Sequence, residues 1–201
     1  MRMVELLDAV LAAAGSPWVY PIVFLLTVVD AFLVIVPSET LVVGLGVLAL
    51  SSGEPSLGLL IPVAALAAIL GDNLSYLLGR RIGLTRFRWM RRPGCVAVFA
   101  WAARALERRA AVVILTARFV PFGRIAVNLT AGATRFRFGR FLPLSVIAGC
   151  GWSLYNALIG ALFGNWFRDN PVLAVVLSII VAVGLGLLVD QLSARAARPV
   201  R

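Results

Sequence analysis

The sequence predicts an all-α integral membrane protein. It is expected as an inverted repeat of a re-entrant helical hairpin plus a transmembrane helix, with an additional C-terminal transmembrane helix. Three observations carry that prediction. Of 201 residues, 61% are hydrophobic and 14% charged, where a soluble domain carries about 25% charge. With a mean hydropathy of +0.98, polar residues are too few to coat a globular surface. Some apolar stretches are long and continuous while two are broken by proline and charge, and the arginines gather between them rather than spreading along the chain.

Residues 1–16 come first. Leu6, Leu7, Val10 and Leu11 fall on one helical stripe. Glu5 and Asp8 interrupt the apolar core that a signal peptide requires, so an amphipathic interfacial helix is expected.

The membrane domain is expected over 17–192. A helix needs about 20 residues to cross a bilayer core, and residues 57–79, 141–163 and 171–192 meet that length. Two other regions do not run through. Residues 19–50 are interrupted at Pro37-Ser38-Glu39, and 110–133 at Pro121-Phe122-Gly123-Arg124. Each break leaves apolar arms of about 10 residues, roughly half a bilayer. Proline removes an amide donor and clashes with the preceding turn, so each region is expected as two half-helices around an irregular tip. Such backbone survives at membrane depth only when buried in protein or lining a wet cavity. The two regions also resemble one another. Val36-Pro37 and Val120-Pro121 each open a charged tip, small residues follow, and a polar turn leads to a full span. This weak internal repeat, with paired interrupted segments, is the sequence pattern of a transporter's central site.

Charge sets the expected topology. Residues 1–57 carry a net of −4, whereas 80–110 hold nine arginines against Glu107. Arg135, Arg137 and Arg140 form a second basic group, and 193–201 a basic tail. If both broken regions re-enter, the 80–110 loop, the second group and the tail all fall on the cytoplasmic side, as positive-inside bias requires. If both crossed fully, the first two groups would lie on opposite faces. Despite a pI near 11.4, this distribution points to topology and anionic membrane lipids rather than nucleic acid.

Composition excludes much chemistry. The chain has no histidine, all nineteen basic residues are arginine, and Cys95 and Cys150 form no CxxC pair. Histidine-based catalysis, zinc hydrolysis, Schiff-base chemistry and the Walker lysine are therefore ruled out. No nucleophile–base pair or metal-ligand cluster is visible, so neither an enzyme, a metal nor a cofactor is expected.

The candidate site lies in charges set within apolar sequence: Asp30, Glu39, Asp72, Arg118 and Arg124. Each costs about 2.5–3.5 kcal/mol at a helix centre and should face a partner or a water-filled cavity. Arg118 and Arg124 are the candidates for binding a lipid phosphate, because guanidinium forks match phosphate bidentately. Asp30, Glu39 and Asp72 are the candidates for proton coupling or charge pairing. The competing reading makes these charges structural, for example a Glu39–Arg124 bridge between the tips. Gly149, Ser153, Asn156, Gly160 and Gly164 share one helical face. There Asn156 either lines a cavity or makes an interhelical hydrogen bond. Asp72, Ser75, Tyr76 and Gly79 share another face. Trp18, Tyr20, Trp89, Trp101 and Trp166 fall near expected interfaces.

Several strings in this chain resemble the DedA family of the wider SNARE-associated, or VTT-domain, superfamily. They are Asp30–Val36 with Pro37-Ser38-Glu39, the run from Gly71-Asp72-Asn73 to Gly83, Arg118-Phe119-Val120-Pro121-Phe122-Gly123-Arg124, Ala131-Gly132, and Gly151-Trp152 through Gly160. Together they span roughly residues 28–165. The resemblance implies an inner-membrane protein with opposed re-entrant loops. It also implies lipid translocation, notably undecaprenyl phosphate recycling, with phospholipid scrambling elsewhere in the superfamily. The family's essential acids and arginines carry over to Asp30, Glu39, Arg118 and Arg124. The first acidic position is often glutamate in the family, and Asp30 is one methylene shorter.

The function expected is thus a flippase-type transporter of a phosphate-bearing lipid. The alternatives are a proton-coupled transporter of a small soluble ion, a phospholipid scramblase, and a scaffold whose charges are structural. A homo-oligomer is left open.

Overall fold

A computed structural model describes residues 13–33, 38–84, 86, 88–118 and 122–166. The bulk of the N-terminal helix, Pro37 and Pro121 themselves, the 171–192 span and the basic tail lie outside the described residues. Within them the chain is helical: α1 (Val19–Asp30), α2 (Ser38–Ser51), α3 (Leu57–Ile82), a 3-10 turn (Arg88–Arg91), α4 (Pro93–Ala117), α5 (Gly123–Ala133) and α6 (Phe138–Trp166).

Helix length separates two classes. α3 has 26 residues and α6 has 29, about 39 and 44 Å at 1.5 Å per residue, enough to cross a core about 30 Å thick. α1, α2 and α5 have 12, 14 and 11 residues, which is too short. Both interrupted regions are therefore interrupted in the structure: helix ends at Asp30 and resumes at Ser38, then ends at Ala117 and resumes at Gly123. Leu59, Leu66, Ile147, Leu158 and Leu162 on the long helices are exposed. A soluble core helix would bury such residues; a lipid-facing one would not.

The arginine-rich connection is itself largely helical. Pro93 occupies the first turn of α4, where its missing amide costs nothing, and Arg92 caps it in extended conformation. Phe99, Ala102 and Leu106 supply a buried stripe. Met90 and Phe99 close over Ala126 and Leu129 of α5. All nine arginines of residues 80–109 stay exposed. The helix kinks at Arg109 (φ −148°, ψ 55°), so the apolar arm proper starts at Ala110.

The chain divides into two compact units. Among the described residues the first contains α1, α2, the start of α3 (57–67) and the end of α6 (150–166). α1 turns Val19, Val23, Thr27 and Asp30 inward along one stripe. A Cβ on Gly46 of α2 would lie 2.6 Å from the Ala157 carbonyl oxygen of α6, and one on Gly160 would strike the Val43 carbonyl. Backbone thus meets backbone, as small residues permit between membrane helices. The Ser56 amide donates to the Tyr20 hydroxyl at 3.0 Å, tying the turn before α3 to α1.

The second unit contains the end of α3 (68–82), α4, α5 and the start of α6 (138–149). Its centre is Tyr76, stacked on Phe141 with ring centroids 4.6 Å apart. The Tyr76 hydroxyl donates to the Phe136 carbonyl and accepts from Arg80 at 3.1 Å. Ala102, Leu106, Val113, Ile114, Val127 and Ala131 complete that core. α5 presses Gly132 against the Tyr76 carbonyl of α3, and α3 presses Gly79 against the Leu129 carbonyl of α5. α5 then stops in a Schellman turn. The Phe136 amide bonds the Ala131 carbonyl and the Arg135 amide bonds that of Gly132, with Arg135 left-handed at φ 56°.

Two predictions follow from this packing. Gly160→Ala and Gly132→Ala each force a methyl into backbone and should cost about 1–3 kcal/mol, whereas Gly151→Ala, with nothing within 4 Å, should be neutral. Thermal unfolding of the purified chain in detergent measures the difference. Arg135→Gly removes a side chain from a left-handed residue and should raise stability by about 1 kcal/mol in the same assay.

Candidate functional site

Each unit holds its own polar cluster, and each cluster sits where a helix breaks. In the first unit, α1 ends on Asp30 and α2 begins on Ser38. The Ser38 hydroxyl donates to the Asp30 carboxylate at 2.7 Å, both residues being buried. This bond spans the interruption and fixes the two helix ends together. Glu39, in the first turn of α2, is exposed and lies in range of the Trp152 indole N–H at 3.4 Å. An acid in a first turn is favoured by the positive end of the helix dipole. One turn before Asp30, the Thr27 hydroxyl is buried with no hydrogen-bond partner among the described residues.

In the second unit, Asp72 projects from the middle of α3. Its two carboxylate oxygens take different donors. Arg118, at the end of α4, donates Nη1 to Oδ2 at 2.5 Å, and Asn128 on α5 donates Nδ2 to Oδ1 at 3.0 Å. Only 2% and 5% of the Arg118 and Asp72 side-chain surfaces are exposed. Neither charge would be stable there alone, because desolvating an isolated ion costs several kcal/mol and only a close, hydrogen-bonded partner compensates it. The pair therefore fixes the end of α4 to α3, and Asn128 brings α5 into the same cluster. The next residue on α3, Asn73, donates to the Ile69 carbonyl at 2.7 Å and to the Ser145 hydroxyl at 3.3 Å.

Arg124 lies in the first turn of α5 and is half-buried. Between the two arginines Phe122 is exposed and left-handed, at φ 62°. A side chain there costs about 1–2 kcal/mol, and such outliers concentrate at functional sites.

The sequence-derived site residues thus fall into distinct settings. Arg118 and Asp72 meet directly. Asp30 and Glu39 share the first unit, held by Ser38 and Trp152 respectively. Asn156 is buried, but its amide donates to the Trp152 carbonyl of its own helix at 2.9 Å. This bond is intrahelical, i to i−4, where the sequence left open a cavity-lining role or an interhelical hydrogen bond. Three contributors escaped the sequence reading: Ser38, Asn128 and Trp152. Trp152 carried a legible signal, since an indole in the middle of an apolar span needs a partner for its N–H. Among the described residues no group of acids and cysteines could hold a metal ion.

Comparison with known proteins matches residues 36–162 to the VTT domain. The chain belongs to the VTT-domain family. An uncharacterised membrane protein of Mycobacterium tuberculosis is 31% identical over 160 residues, covering 79% of this chain and 70% of that one. A membrane protein of Mycobacterium leprae is 30% identical over 162 residues, covering 79% and 72%. Protein DedA of Escherichia coli is 28% identical over 186 residues, covering 87% and 83%. No solved structure matches the chain. The DedA resemblance read from the motifs accordingly holds, and the protein is a membrane protein. The VTT match contains Glu39, Asp72, Asn128, Arg118, Arg124 and Trp152 within its bounds, while Asp30 falls six residues before them.

Removing the Asp72 carboxylate should show how far the second cluster depends on it. Asp72→Leu strands the buried Arg118 charge and should cost about 3–5 kcal/mol, Arg118→Met strands the carboxylate in turn, and the Asp72→Leu/Arg118→Met double variant should recover most of that loss. Denaturant or thermal unfolding of the four corners of this cycle gives the coupling.

Proposed function

We propose that this chain is a flippase-type transporter that carries a phosphate-bearing lipid across the bacterial inner membrane, with undecaprenyl phosphate as the substrate. Arg118 and Arg124 hold the phosphate; Asp30, Glu39 and Asp72 supply counter-charge or carry protons. The observation that carries this reading is the placement of two arginines on either side of a helix break, one buried against Asp72 and the other half-buried. A guanidinium at such depth is expensive unless function requires it, and its planar fork suits a phosphate better than a lysine would.

The mechanism follows from charge balance. Asp72 engages one Nη of Arg118, so an arriving phosphate competes for a guanidinium that already has a carboxylate. The guanidinium exchanges one anion for another and keeps its charge at every step. The lipid's hydrocarbon chain stays in the bilayer while only the head group passes the protein. Broken helices support this reading, because their ends expose amides and carbonyls at depth, where a head group needs them. The similar use of glycines against carbonyls in both units supports a repeat, and the arginine distribution supports two hairpins re-entering from opposite faces in a multi-pass topology with a cytoplasmic C-terminus.

The test separates binding from folding. Arg124→Ala leaves the Asp72–Arg118 pair in place and should fold normally, yet lower translocation of a labelled undecaprenyl phosphate in reconstituted vesicles by at least about tenfold, since a charged hydrogen bond contributes 1.5–3 kcal/mol. Arg124→Lys should recover only part of it. Unchanged transport in a folded Arg124→Ala protein refutes the site.

A further inference from the structure

A groove of about 520 Å³ opens in the second unit between α4 and the start of α6. That volume is within the roughly 300–1,000 Å³ of small-molecule sites. None of the site residues above lines it. Its walls are apolar, with Leu106 and Ala110 on α4 facing Leu144 on α6. Two charges of opposite sign stand on it, Glu107 from α4 and Arg140 from α6. Glu107 and Arg140 line the same groove without forming an ion pair with each other.

Three features say what fits there. Arg140 belongs to the basic group at the head of a span, where sequence passes from charged to apolar and a lipid head group sits. The groove then continues along Pro143 and Leu144 into the apolar part of α6, the direction of an acyl chain. Finally, Pro143 has no amide to return to the carbonyl of Gly139, four residues earlier, and both residues line the groove. The groove thus offers a cation for a phosphate, and a carboxylate with a helix carbonyl for a donor of N–H bonds. A phosphate and a protonated amine joined by a short linker, on an acyl-bearing glycerol, present that charge pair. We propose that this groove binds a membrane phospholipid with a primary-amine head group, a phosphoethanolamine lipid. Its phosphate rests on Arg140, its ammonium on Glu107 and the Gly139 carbonyl, and one acyl chain lies along α6. This site is separate from the transported lipid's phosphate site and does not rest on that assignment.

The experiment is lipid retention by the full chain. The protein is reconstituted in vesicles of equal phosphatidylethanolamine, phosphatidylglycerol and phosphatidylcholine, extracted in mild detergent, and its bound lipids are counted by native mass spectrometry. Wild type should retain phosphatidylethanolamine over both others. Glu107→Gln should reduce that preference about fivefold, the size expected of one exposed charge pair, without reducing total lipid. Arg140→Gln should reduce retention of all three. Both side chains are exposed, and an unchanged melting temperature checks that the variants fold. The proposal is overturned by equal retention of the three lipids in wild type, by a preference for phosphatidylglycerol, by phosphatidylcholine held as well as phosphatidylethanolamine, or by a preference that survives Glu107→Gln.

Discussion

The second unit is organised by a charge that has to be neutralised away from water. Arg118 ends a helix in apolar surroundings, and its guanidinium cannot shed its proton. Only a nearby anion makes that position tolerable, and Asp72 supplies it from the middle of a spanning helix. Much else depends on this pairing. It requires α3 to carry an acid where leucine would insert more cheaply, it brings α5 close enough for Asn128 to take the second carboxylate oxygen, and it sets where α4 must stop. Buried pairs of this kind add little net stability over an apolar replacement, yet losing one member is severe.

The glycines serve the same constraint by another route. Polar clusters at broken helix ends are held only if the surrounding helices approach closely, and side chains would prevent that. In the first unit Gly46 and Gly160 bring α2 onto the end of α6; in the second, Gly132 and Gly79 bring α5 onto the end of α3. Each time, the arm following a break packs on the spanning helix of the other half of the sequence. Both clusters draw on both halves, since the second half's Arg118 and Asn128 meet the first half's Asp72, and the first half's Glu39 faces the second half's Trp152.

That exchange between halves explains what could be read from sequence and what could not. Helix breaks were legible because proline and charge interrupt apolar runs locally, and the structure stops helices at Asp30 and Ala117. The buried charges were legible one at a time, because an acid or arginine in apolar sequence is anomalous wherever it falls. Their partners were not. Arg118 pairs with a residue 46 positions earlier, and no local pattern encodes that separation. Asn128 and Ser38 were hidden for a related reason: a lone amide or hydroxyl among apolar neighbours reads as incidental until the carboxylate it serves is located. The helix over the arginine-rich stretch was masked by its charge, since its buried stripe of Phe99, Ala102 and Leu106 is narrow and the exposed face holds the arginines.

The arrangement also limits how a phosphate could be handled. An arginine fully satisfied by protein would bind nothing, and one left bare at depth would not fold. Arg118 is held against the Asp72 carboxylate, and the second oxygen of that carboxylate accepts from Asn128. Arg124, six residues on and half-buried beyond a strained Phe122, is poised differently, with more access to solvent and less dependence on burial for its place. A phosphate with several acceptor oxygens can engage two such guanidinium groups of unequal depth in succession. On the proposed function each transfer would exchange one anion for another around a fixed positive centre, so that neither arginine becomes uncharged.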